Sequence, residues 1–157
     1  MPVLTDIEIR MAKLEEASAI SLLIYEAFAE EKPHYTLEAF AFTTPGTDII
    51  KDRITDKTVW VVISSNKIIA TASGSRRGDG FYVRSLAVNK NARRAGLAKA
   101  LMIHMEKLAV QSNCKNLKLT TASFLQPAVS LYESLGYKEC GNQDLYGTTL
   151  IKMIKEI

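Results

Sequence analysis

Arg93, Arg94 and Lys99 surround a small-residue turn, Ala95-Gly96, at the head of an amphipathic run that continues to Ala109. The first backbone N–H groups of a helix have no intrahelical partner, and the helix macrodipole adds partial positive charge there. Gly96 lacks a Cβ, so the chain can turn sharply and a ligand can approach the backbone; Ala98 keeps the same surface low. Cations beside such an end make a cradle for phosphate or pyrophosphate, with the backbone as the main grip and the arginines assisting. The same pattern also arises where arginines only face solvent, so the stretch alone does not decide. It is not a P-loop, because no glycine stands five residues before Gly96 and no Lys-Ser/Thr pair follows it. Nor is it a dinucleotide fingerprint: Gly78-Asp79-Gly80 supplies only the first half, and a strand follows where a helix is needed.

Other chemically capable side chains are more ambiguous. Tyr132 shares a helical stretch with Val129, Leu131 and Leu135, and by spacing alone it reads as a core aromatic. His104, between Leu101 and Leu108, reads as a packed or surface histidine, whereas His34 follows Pro33 in an expected loop. Arg76 and Arg77 beside Gly78 read as residues that solvate a turn, or that meet the acceptor if it is acidic. Cys114 and Cys140 lie far apart without a CxxC spacing, which argues against a disulfide framework and a zinc site, and no metal is expected.

These groups are to be positioned by one domain, 1–157, long enough to bury a core. The composition, 47% hydrophobic and 24% charged, is that of a globular chain rather than a disordered one. The apolar runs are too short for a bilayer and the start, MPVLTDIEIR, lacks a signal-peptide pattern, so a cytoplasmic protein without a membrane partner is expected. A net charge of +3, with basic residues scattered among acids, argues against nucleic acid as a partner.

Alternation over Ile7 to Lys13 predicts a strand, and Ala19, Ile20, Leu23, Ile24, Ala27 and Phe28 predict a helix that Pro33 and His34 interrupt. Thr44-Pro45 resembles a cap and first helical residue, predicting a short second helix to about Arg53 after an irregular segment. Lys57 onward reads as a hairpin turning at Asn66, then a turn at Arg76 to Gly80 and a third strand, Phe81 to Val88. The Arg93 helix follows, then NLKLTT as a strand, QPAVSLYESLG as a helix stopped by Gly136, and two closing strands, YKECG and TTLIKMIKEI. Antiparallel strands followed by alternating strands and helices imply an α/β protein with a mixed central sheet flanked by helices.

SLAVNKNARRAGLAKALM is similar to the acetyl-CoA-binding motif of the GNAT superfamily of N-acetyltransferases, [RQ]xxGx[GA], read here as Arg93-Arg94-Ala95-Gly96-Leu97-Ala98. AVSLYESLGYKECG resembles that family's later A…LYexLGF block at Ala128, Leu131, Tyr132, Leu135, Gly136 and Tyr137, and EIRMAKLEEASAI resembles its first strand and helix. The resemblance implies the GNAT fold and acetyl-CoA as co-substrate. It places Leu86, Ala87 and Val88 beside the pantetheine arm, the backbone from Arg94 to Lys99 with Arg93 on the pyrophosphate, and Tyr132 near the sulfur as the acid for the leaving thiolate. It implies a backbone N–H near Leu86 as donor to the carbonyl oxygen on which charge develops.

Departures from the pattern matter too. Where many members carry a glutamate, this chain has Arg84, Ser85 and Thr120, and Leu125 replaces an asparagine often found before the tyrosine helix. The amine's proton would then leave through water and backbone carbonyls, or through Glu30, Glu31 or His34. The resemblance implies acetyl transfer to a primary amine of a small molecule, amino acid, peptide or protein. The missing carboxylate motivates the alternative, a CoA-binding regulatory module. The family also leaves room for a homodimer through the closing strand.

Overall fold

The computed structural model describes residues 6–157. A short first strand, β1 (Glu8–Met11), leads through a 3-10 turn at Leu14–Glu16 into α1 (Ala17–Phe28), which buries Ile20, Leu23 and Ile24 of the expected apolar face and half-buries Ala27 and Phe28, while Ala19 is exposed and Ala17 is buried instead. Pro33 does not leave a loop behind α1. Ala29–His34 winds into a short 3-10 helix that contains Pro33 as its fifth residue.

The segment expected to be irregular forms a helix of its own, α2 (Leu37–Thr43). Thr36 caps it, its Oγ1 accepting from the Ala39 N–H at 3.2 Å, but seven residues with Leu37 and Phe42 exposed carry too little periodicity to read. Thr44, expected to open the next helix, instead closes α2, and its hydroxyl donates to the Phe40 carbonyl at 2.8 Å. The next helix, α3 (Thr47–Thr55), starts two residues after Pro45 with Gly46 at the cap position.

The strands follow the sequence more closely. β2 (Val59–Ser64) and β3 (Lys67–Arg77) form a hairpin whose two turn residues, Ser65 and Asn66, have φ of 50° and 62°, the mirror-type geometry that matches strand twist. β4 (Gly80–Val88) is followed by α4 (Leu97–Gln111), β5 (Asn116–Thr121), α5 (Gln126–Ser134), β6 (Lys138–Leu145) and β7 (Thr148–Glu156). The sheet runs β1-β2-β3-β4-β5-β7-β6, antiparallel except at β4–β5. The closing strand β7 lies between β5 and β6, so it has no free edge for a partner chain; a strand that pairs on both sides cannot also extend the sheet.

Two helical layers cover the sheet. On one face α4 and α5 pack Leu101, Met102, Met105 and Tyr132 against Val62, Phe81, Leu117 and Met153. On the other, α1 and α3 pack Ile20, Ile24, Ile50 and Ile54 against Val59, Val61 and Ala87. Each such side chain, fully buried, contributes about 1.5–3 kcal/mol relative to exposure, so the two layers hold the sheet from both sides. Contact is close enough that a Cβ on Gly74 of β3 would stand 2.6 Å from Met105 Sδ and from the Phe81 ring. A smaller cluster of Tyr35, Ala39 and Phe40 seats α2 against Phe124 and Leu145.

Candidate active site

β4 and β5 pair in parallel only at Gly80–Asn116, Phe81–Leu117 and Tyr82–Lys118. Beyond that the strands part, and the edge of β4 facing β5 has no strand partner among the described residues from Val83 to Val88. A cleft of about 510 Å³ opens there, lined by both strands, by α5 and by the α1–α3 side of the molecule.

Within β4 the ladder slips: Arg84 pairs with Ser73 and Ala87 with Thr71, so Ser85 and Leu86 both oppose Ala72. This is a β-bulge, with Ser85 in the left-handed region at φ 57°. A bulge takes one backbone unit out of the ladder, so donors that would face β3 are re-aimed. Leu86 and Val88 are half-buried and line the cleft; Ala87 lines it too but is buried, its side chain packed toward α1 and α3.

Past Val88, a 3-10 turn at Lys90–Ala92 leads to Arg93 in extended backbone and then to Arg94 and Gly96 at φ of 67° and 77°. Gly96 stands at the cap position of α4 and no side chain caps the helix, so the leading N–H groups face outward. A Cβ built on Gly96 would meet nothing within 4 Å, so the surface above it is open, as a cradle for a bulky anion requires. Arg94, Ala95 and Lys99 are exposed, Ala98 is half-buried, and Leu97 turns its side chain into the core. Arg93 lines the cleft and donates to the Ala27 carbonyl at the end of α1, 3.2 Å away.

Tyr132, from α5, is 7% exposed and lines the cleft while packing at 5.9 Å from the Tyr137 ring. No protein group among the described residues hydrogen-bonds its hydroxyl, and burial pushes its pKa upward from the ordinary value, so it remains a protonated phenol. Tyr82 and Thr120, across the parting of β4 and β5, bring their hydroxyls to 3.3 Å.

The bases considered for the amine's proton do not gather here. Glu30 pairs with Lys90 at 2.9 Å, and Glu31 lies 3.6 Å from an exposed His34. None of these three lines the cleft, and His104 is packed edge-on against Trp60 at 4.4 Å. Among the described residues the lining holds no Asp, Glu, His or Lys; its charged members are Arg53, Arg77, Arg84 and Arg93.

Arg53 is the residue that sequence reasoning missed. It sits on α3 at the i+3 position from Ile50 and beside Ile54, both buried, so an arginine on the apolar face was the available signal. Its Nη1 donates to Ser85 Oγ at 2.9 Å, which ties α3 to the bulge. Two hydrogen bonds hold the roof over this half of the cleft: Thr36 Oγ1 donates to the Tyr146 carbonyl at 2.8 Å, and the Thr36 N–H donates to Thr148 Oγ1 at 2.9 Å. Among the described residues no three His, Cys, Asp or Glu side chains are grouped to hold a metal, and no helix is long and apolar enough to cross a membrane.

The sheet is thus parted beside a bulged strand, with the N terminus of α4 carrying no side-chain cap among the described residues. The model of the acetyltransferase (GNAT) family matches residues 19–137, and the chain belongs to that family. It is 28% identical over 131 residues to human N-acetyltransferase 8B, a match that covers 78% of this chain and 58% of that protein. The chain therefore spans little more than half the length of that relative. Among solved structures it resembles Ard1 from Thermoplasma volcanium, at a TM-score of 0.79 and 14% identity over 98% of this chain and 99% of the other. It also resembles the PaiA N-acetyltransferase of Thermoplasma acidophilum in complex with coenzyme A, at 0.77 and 16% identity over 98% and 100% of the two chains.

Proposed function

We propose that the chain is one N-acetyltransferase domain that moves the acetyl group of acetyl-CoA to a primary amine by direct attack. The observation that carries this reading is the parted β4–β5 pair with the open, uncapped α4 N terminus at its mouth. The free β4 edge at Leu86, Ala87 and Val88 suits an extended amide-bearing arm, which adds to a strand edge as a further strand. The amides from Arg94 to Lys99 then grip the pyrophosphate, Arg93 and Arg94 adding charge. Acetyl-CoA supplies an activated thioester carbonyl when bound.

The chain's own residues supply the rest. A C–N bond forms as the C–S bond breaks; one proton leaves the amine and one reaches the sulfur. Tyr132, protonated and buried in the cleft wall, donates the second, and the backbone N–H released by the bulge at Ser85-Leu86 serves as donor to the carbonyl oxygen. No carboxylate in the lining takes the first. An arginine-lined cleft instead disfavours an ammonium ion, because like charges lower an amine's pKa, and the proton passes to water by way of the Tyr82–Thr120 hydroxyls.

Release of free thiol from acetyl-CoA with a panel of primary amines tests the reading. Turnover with at least one amine class is expected, with kcat/KM rising as pH rises through the amine's own titration. Tight CoA binding without thiol release across the panel would instead establish a regulatory module that keeps only the donor site.

A further inference from the structure

Arg53 occupies a position that acetyl transfer in general does not require. It is 8% exposed, yet among the described residues only one of its N–H groups finds an acceptor, Ser85 Oγ, and its Nε is enclosed with none. No carboxylate pairs with it among the described residues. Arg84 follows one residue before Ser85 on β4, half-buried and likewise without an acid, and Arg77 lies over the Tyr82 ring at 4.4 Å. Burial first, then Arg84 and Arg77, draw the Arg53 pKa down to about 10, so the group still carries its charge at neutral pH. Arg84 is lowered by burial and by Arg77 in turn.

A buried guanidinium without a counterion is destabilising, and crowding a second and third beside it compounds the penalty. An anion is the group that would complete the arrangement. The pyrophosphate is poorly placed to be that anion: Arg84 lies four residues before Val88, about 13 Å back along the strand from the end that leads to Gly96. Arg84 and Tyr82 alternate onto the same face of β4, the face α3 covers, so the cations meet on the acceptor half of the cleft. Arginine's planar fork matches a carboxylate better than any other side chain does.

We propose that the acetyl acceptor is a small primary amine bearing a carboxylate, the simplest case being an amino acid, and that Arg53 and Arg84, backed by Arg77, bind that carboxylate. The inference rests on the acetyltransferase reading above. It also explains the strained Ser85: the bulge residue holds Nη1 of Arg53 and so leaves Nη2 for the ligand. The cleft's 510 Å³, shared with the donor's reactive end, fits a small molecule better than a folded protein surface.

Calorimetry on the CoA-loaded protein tests it, with a panel of N-acetyl amino acids titrated against the matching N-acetyl amino amides. At least one acid should bind about 10- to 100-fold tighter than its amide, the range for a charge-assisted pair. Arg53→Met and Arg84→Met should each erase that difference while CoA affinity stays within about twofold. Arg53→Met should also melt no lower than the parent, because it removes an unpaired buried charge, whereas a structural arginine would lower the melting temperature. Equal binding of acids and amides throughout the panel overturns the proposal, as does a loss of CoA affinity in place of acid affinity. Thiol release with carboxylate-free amines at full rate would sink this inference and leave acetyl transfer standing. Acid binding with no turnover on any amine would do the reverse.

Discussion

On the α4 side of the cleft the groups offered to a ligand are backbone: the free edge of β4 and the leading amides around Gly96. On the α3 side they are side chains, the guanidiniums of Arg53, Arg84 and Arg77 and the hydroxyls of Tyr82 and Thr120. The difference is one of tolerance. A backbone cradle requires only that nothing obstruct it, hence Gly96, Ala95 and Ala98, and many neighbouring side chains can change around it. A side-chain cluster requires named residues from separate elements to converge, and each change alters what it accepts. On the proposed reading, one wall therefore suits a constant donor, and the other sets the choice of acceptor.

Tyr132 stands between the two walls, and its loss gives the largest expected effect. Tyr132→Phe should lower kcat about 100-fold, the range for removing a general acid, with CoA affinity within about twofold. Unchanged turnover across the pH range would remove the tyrosine from the chemistry. Burial raises its folded pKa above the unfolded value of 10.0, so the stability tied to the neutral phenol is complete below about pH 10 and declines as pH rises beyond it. Chemical denaturation between about pH 9 and 11 should show a shallower alkaline decline for the phenylalanine variant. Tyr137 and Tyr35, also raised by burial, contribute to the part that remains.

Gly96→Val breaks the donor wall alone. At φ 77° a β-branched residue is strained by about 1–2 kcal/mol, and its side chain fills the space above the amides, so CoA affinity should fall about tenfold. Calorimetry reads this directly. If affinity held, the grip would belong to the arginine side chains and the contrast between the walls would fail.

Thr36→Ala is the mildest and touches the acceptor wall. It removes the α2 cap and the bond to the Tyr146 carbonyl, a loss of about 1 kcal/mol that should lower the melting temperature by about 2–4 °C. Acceptor KM should rise while CoA affinity stays unchanged. Equal loosening of both would mean the roof supports the whole cleft rather than one wall.

The order of strands and helices was legible where an element is strongly patterned; α4 is the clearest case, with Leu97, Leu101, Met102 and Met105 on its buried face. α2 was not, since its seven residues leave Leu37 and Phe42 exposed and its stability comes from Thr36 and from Tyr35, Phe40 and Phe124 packed around it. The place of β7 inside the sheet was also out of reach. Strand order depends on which edges meet in space, and local propensity carries no record of that.

The donor wall was determined by the chain locally, because a helix N terminus, a glycine and small neighbours are all contiguous over Arg93 to Lys99. The acceptor wall was decided only by tertiary structure. Arg53 and Ser85 are 32 residues apart, Tyr82 and Thr120 are 38, and nothing along the chain brings either pair together. The parting of β4 from β5 and the packing of α3 across the sheet do so, and they turn arginines that read as scattered surface charge into one unpaired cationic cluster.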